Sequence, residues 1–133
     1  EKEPKNMKRL IDQELRDWKE APSRKSLILR GARQVGKTFS VRKLGTLYED
    51  FYEINLEKRL DLLPVFEKNL DPTRILRDLS VDRGSPIIPG KTLLFLDEIQ
   101  MCPEAISSLR YFYEEMPELH VIGAGSLLEF ALE

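Results

Sequence analysis

With 133 residues, 33% of them charged and 41% hydrophobic, the chain has the size and balance of one globular domain with a core of its own. A net charge of −2 gives no global pull toward nucleic acid or an anionic membrane, and no apolar run approaches the roughly 20 residues that span a bilayer. The single cysteine, Cys102, excludes an internal disulfide, and the charged start Glu1-Lys2-Glu3-Pro4-Lys5 lacks the apolar stretch of a signal peptide. A soluble, cytoplasmic protein with no membrane partner is the expectation.

Residues 1–6 read as a disordered or adventitious lead. From Met7 to Glu20, Ile11, Leu15 and Trp18 recur at helical spacing, and Ala21-Pro22-Ser23 ends that helix. Ser26-Leu27-Ile28-Leu29-Arg30 is a short apolar run stopping at Gly31, as a buried strand does. A helix is expected from about Lys37 to Tyr48, with Val41, Leu44 and Tyr48 inward, followed by a strand over Phe51–Leu56. Two helical pieces come next, near Leu60–Asn69 and Thr73–Asp82, the second opened by Asp71-Pro72, and then a Gly/Pro loop from Arg83 to Gly90. Thr92-Leu93-Leu94-Phe95-Leu96-Asp97 is apolar enough for a strand covered on both faces. Pro103 opens a helix with Ile106, Leu109, Tyr113 and Met116 as its apolar stripe. His120-Val121-Ile122 starts a fourth strand, and the chain from Leu127 reads as helical. Strands alternating with helices imply right-handed crossovers, hence an α/β three-layer sandwich on a parallel sheet.

Gly31-Ala32-Arg33-Gln34-Val35-Gly36-Lys37-Thr38 fits the G-x-x-x-x-G-K-[ST] pattern at every fixed position. Gly31 and Gly36 allow backbone dihedrals closed to other residues, so successive N–H groups can turn toward a phosphate. The helix after them adds its positive N-terminal end. Lys37 can reach β- and γ-phosphates, and the Thr38 hydroxyl can ligate a metal. An apolar strand before the pattern and an amphipathic helix after it give the required setting. Gly90-Lys91-Thr92 repeats the last three residues, but Ser85 stands where the first glycine belongs and the triplet runs into a strand. It reads as a turn.

Leu93 to Leu96 run straight into Asp97-Glu98. Paired acids at the end of a buried strand raise each other's pKa unless a cation lies near. Magnesium bound to ATP supplies one, with Asp97 holding the ion and Glu98 orienting the attacking water.

Together with Val121-Ile122-Gly123-Ala124-Gly125-Ser126, these segments resemble the AAA-type ATPases of the bacterial and archaeal AAA_14 family. The likeness is carried by Leu29 to Thr38, by Leu96-Asp97-Glu98-Ile99-Gln100, by Gly125-Ser126-Leu127-Leu128 and by the opening helix from Arg9 to Trp18. It implies strand order 2-3-4-1 and places Ser126 at the sensor-1 position, near the γ-phosphate or the attacking water. It also gives Asn55 the place of a polar residue that restrains the catalytic glutamate. Ser126 equally reads as the N-cap of the next helix, and Asn55 as a turn residue. His120 reads as a surface residue, Cys102 as inert packing, and Arg33 and Gln34 as either phosphate contacts or solvated side chains. The resemblance further implies a fifth strand, more helices and a C-terminal DUF4143 domain beyond residue 133, so this span is expected to stop before the fifth strand and to leave the first strand's edge open to self-association.

The expected site therefore has Glu98, Lys37, Ser126 and Asn55 as catalytic residues and Thr38 and Asp97 as magnesium ligands. The nucleotide cradle is Gly31, Ala32, Arg33, Gln34, Val35, Gly36, Lys37, Thr38 and Phe39. The ligands are ATP or ADP and Mg2+, with hydrolysis in the full-length protein. A nucleotide-gated interaction module with little turnover is the alternative. A DNA-handling motor has less behind it, since no basic stripe or stacking aromatic cluster is visible. The protein or nucleic-acid target is not written in the sequence.

Overall fold

The computed structural model describes residues 2–22, 25–31 and 35–126. In chain order these form α1 (Lys2–Glu20), β1 (Leu27–Gly31), α2 (Val35–Gly45), β2 (Asp50–Asn55), α3 (Leu63–Lys68), α4 (Pro72–Arg83), β3 (Thr92–Asp97), α5 (Pro103–Glu115) and β4 (His120–Ser126). Short 3-10 turns stand at Leu60–Leu62 and Ile99–Met101.

The strands make one parallel sheet in the order β1-β4-β3-β2, the expected 2-3-4-1 read from the other edge. Alternation along β3 explains the three layers. Leu93 and Phe95 point to one face, where they meet Ile122 and Ala124 of the sheet and Leu15, Val41 and Leu44 of α1 and α2. Leu94 and Leu96 point to the other, against Phe66, Ile75, Leu79, Leu109 and Phe112 of α3, α4 and α5. All four β3 residues are fully buried, which is why this strand shows no polar alternation.

Several boundaries and faces differ from the expectation for local reasons. The first helix begins at Lys2, and α2 begins at Val35, which brings Gly36 into its first turn. The piece expected at Leu60–Asn69 is broken into a 3-10 turn and α3, because Pro64 lacks an N–H and fits only a helix start. α4 has matched ends. Asp71 accepts from the Thr73 N–H at 3.1 Å, and Gly84, at φ 83°, takes the left-handed C-terminal position. On α5 the inward face is Ala105, Ser108, Leu109 and Phe112, with Ile106 and Met116 only partly buried at its border.

His120 is not a plain surface residue. It is half-buried between α1 and the end of α2, edge-on to Trp18 and Tyr48 with both ring centroids 5.3 Å away, and its Nδ1 hydrogen-bonds the Tyr48 hydroxyl. Cys102 is fully buried, and burial pushes its thiol up to about 11, which suits inert packing. The expected helix from Leu127 lies outside the described residues. Among the described residues no helix is long and apolar enough to cross a membrane.

Candidate nucleotide site

Because the sheet is parallel, the C-terminal ends of all four strands share one edge, where ligands of open α/β sheets bind. Register places the functional ends side by side. Gly31 pairs with Ser126, Asn55 with Asp97, and Leu96 with Gly123. β1 thus delivers the chain into the glycine-lysine motif next to β4, and β3 delivers Asp97 on the other side of β4.

Of the cradle, Ala32, Arg33 and Gln34 lie outside the described residues. Val35 and Gly36 begin α2. Lys37 is partly buried, and its ammonium donates to the Gly125 carbonyl on β4 at 3.4 Å. The Thr38 hydroxyl donates to Asp97 Oδ2, also at 3.4 Å. Phe39 is exposed on α2. Asp97 uses its other oxygen, Oδ1, to accept from the Glu98 N–H at 2.9 Å.

Glu98 stands at φ 52°, ψ 46°, and is the one non-glycine residue with positive φ among the described residues. Left-handed backbone at a glutamate costs energy, and such strain concentrates at functional positions. Its carboxylate Oε1 accepts from Gln100 Nε2 at 2.8 Å.

Asn55 is brought next to Asp97 by strand pairing, yet its side-chain oxygen accepts from the N–H groups of Glu57 and Lys58 at 2.9 and 3.2 Å. That oxygen makes the turn after β2. Ser126 ends β4 opposite Gly31.

Electrostatics at this edge are those of charges taken out of water. Burial pulls the Lys37 amine below the usual lysine range, while Asp97 and Glu98 pull it back up. Asp97 is pushed above the usual carboxylate range, first by burial and then by the charges of Glu98 and Glu53; the Glu98 N–H and the Thr38 hydroxyl oppose this. A desolvated carboxylate beside a hydroxyl oxygen is a hard-oxygen pair suited to Mg2+, which would relieve the unfavourable charge on Asp97. Lys37 and the first turn of α2 suit a polyanion.

Four contributors do not stand out in the sequence. Gly125 supplies its carbonyl to Lys37, and its place before Ser126 is the only signal for it. Gly123 lets Ile99 pack close to the strand, since a Cβ there would stand 2.7 Å from Ile99 Cδ1 and force that side chain to shift. Ile99, fully buried, thereby seats the segment after Glu98 directly on β4. Gln100 is visible only as a letter of the motif.

A parallel sheet in which the glycine-lysine motif runs from the end of β1 into α2, beside an acidic strand end, defines a P-loop type of α/β nucleotide-binding domain. A family model described as an AAA domain, AAA_14, matches residues 23–133, and the chain belongs to that family. Nucleotide binding of the ATPase type comes with that membership. No curated protein was found that matches the chain.

Proposed function

We propose that this domain binds ATP with magnesium and, in the full-length protein, hydrolyses it to ADP and phosphate. The observation that carries the reading is the convergence of Lys37, Thr38, Asp97 and Glu98 at one sheet edge, with Thr38 in contact with Asp97. Thr38 and Asp97 would hold magnesium, which supplies positive charge to the phosphates when bound. Lys37 neutralises the β- and γ-phosphates, and the N–H groups opening α2 hold their oxygens. Glu98 orients water in line with the γ-phosphorus and accepts its proton. The new P–O bond forms as the bridging bond to the β-phosphate breaks, and ADP leaves. Ser126 and the Asn55 amide are the polar groups for the γ-phosphate side and for restraining Glu98. Ala32, Arg33, Gln34 and Phe39 complete the nucleotide contacts in this reading.

The test is thermal melting with and without Mg-ATP. At 100 times Kd the wild type should gain about 2.7 kcal/mol by linkage, and Lys37→Ala should gain almost none. Equal gains in both proteins would overturn the cradle. Bound ATP recovered intact after long incubation of the full-length protein would favour the gated interaction module over an ATPase.

A further inference from the structure

A glutamate that must aim one water at one phosphorus is useful only in a narrow range of its side-chain rotamers. Two independent features restrict Glu98. Its left-handed backbone, φ 52° and ψ 46°, fixes the direction in which the side chain leaves the strand end. The Gln100 amide then holds Oε1 at 2.8 Å. Gln100 is itself partly buried, and it belongs to a turn that is tied down at both ends. The Met101 N–H donates to the Glu98 carbonyl at 3.1 Å, and the Cys102 N–H to the Ile99 carbonyl at 3.0 Å. Between them, Ile99 is fully buried and packs against β4 at Gly123.

We propose that Gln100 is a positioning residue for ATP hydrolysis, holding the Glu98 carboxylate in its working orientation from the hydrogen-bonded turn on β4. This rests on the reading of Glu98 as the group that orients water. An amide suits the task chemically. It donates to a carboxylate without adding charge beside Asp97, and it has no proton to lose. Lysine in its place would form an ion pair and compete with Lys37, and glutamate would repel Glu98 outright.

The experiment uses full-length protein and single-turnover ATP hydrolysis, with nucleotide Kd and melting temperature measured in parallel. Gln100→Met keeps the side-chain length and removes the donor; its hydrolysis rate should fall on the order of 10-fold, less than the ~100-fold that a ~1 Å misplacement can cost. Kd should stay within about 2-fold of wild type, as expected when only an interaction made in the transition state is lost. Gln100→Glu should be slower still. In a Glu98→Gln background, Gln100→Met should change the residual rate no further, because there is no carboxylate left to aim. A wild-type rate for Gln100→Met, a loss confined to Kd, or the same fractional loss in both backgrounds would overturn the proposal. If Gln100→Met fails to fold, Gln100→Asn, which keeps the amide one methylene short, replaces it with the same expectations. Wild-type hydrolysis by Glu98→Gln would instead remove Glu98 as the water-orienting group, and the role of Gln100 with it.

Discussion

The tripeptide Gly-Lys-Thr occurs at 36–38 and again at 90–92, and the two copies lie at opposite ends of the sheet. In the first, Gly36 lies in the opening turn of α2, Lys37 is drawn inward to the Gly125 carbonyl, and Thr38 faces Asp97. In the second, Gly90 makes a left-handed turn at φ 90° and donates its N–H to the Glu118 carbonyl at 3.0 Å. Lys91 is exposed. Thr92 is buried, and its hydroxyl accepts from the Ile88 N–H at 3.0 Å and donates to Asp50 at 2.8 Å. The same three residues make a candidate site in one place and a structural turn in the other. The element that each triplet opens decides the outcome. A helix opens with unspent N–H groups that can meet an anion, whereas a strand spends its N–H groups in the ladder.

The comparison breaks most visibly at the lysines. Lys37→Ala should remove nearly the whole nucleotide-dependent gain in melting, about 2.7 kcal/mol at 100 times Kd, and Lys91→Ala should leave it intact. A matching loss from Lys91→Ala would mean that the helix holding the first triplet does not set it apart. The threonines should show the reverse pattern. Thr92→Val strands the Ile88 N–H and should cost about 2 kcal/mol of stability in denaturant melts, without touching nucleotide affinity. Thr38→Val should leave stability nearly unchanged and weaken the magnesium-dependent part of binding, read by titrating nucleotide with and without the ion. Gly90→Ala should cost about 1 kcal/mol, because a Cβ strains a backbone at positive φ even where space is open.

The smallest effect concerns acid. Asp50 is held below the usual carboxylate range, first by its hydrogen bonds from Arg83 at 2.7 and 3.2 Å, with the Thr92 hydroxyl helping and burial opposing. A depressed folded pKa means stability that is present above the unfolded value and lost as pH falls through the folded one, so the window lies below about 4. Asp50→Asn should flatten that part of the acid limb in melts across pH, and only modestly, since the pair is partly solvated. An unchanged acid limb would show that the Arg83–Asp50–Thr92 network does not stabilise the second turn through charge.

The features legible in the sequence are local ones. β3 announces itself because burial on both faces leaves an uninterrupted apolar run, and the glycine-lysine motif because its spacing is fixed by backbone geometry. The face of α5 misleads because two apolar stripes compete on that helix. The winning one contains Ser108, whose buried hydroxyl satisfies itself on the Ala105 carbonyl at 2.6 Å and so counts as small, not polar. His120 reads as a surface residue because its surroundings come from Trp18 and Tyr48, far away in sequence. The Gln100 contact depends on Glu98 adopting positive φ, which no propensity suggests for a glutamate.

The attachment of β1 to the sheet also bears on when the site comes into being. Among the described strands β1 pairs only with β4, so Leu27 finds Ile122 across almost the whole described chain, whereas β2 and β3 are joined by the shorter crossover of α3 and α4. Closing the longer loop is entropically dearer and slower. During N-to-C synthesis the glycine-lysine segment is made early and waits, without a partner strand, until residues near 126 have left the ribosome. Nucleotide therefore cannot template the first folding steps; it can only lock a sheet that is otherwise complete. Fraying of β4 would release the cradle while the β2–β3 pair stays together. In hydrogen exchange, the amides of Leu27–Gly31 should open with those of β4, and bound nucleotide should slow both together with the amides that open α2, while those of the β2–β3 pair stay unchanged.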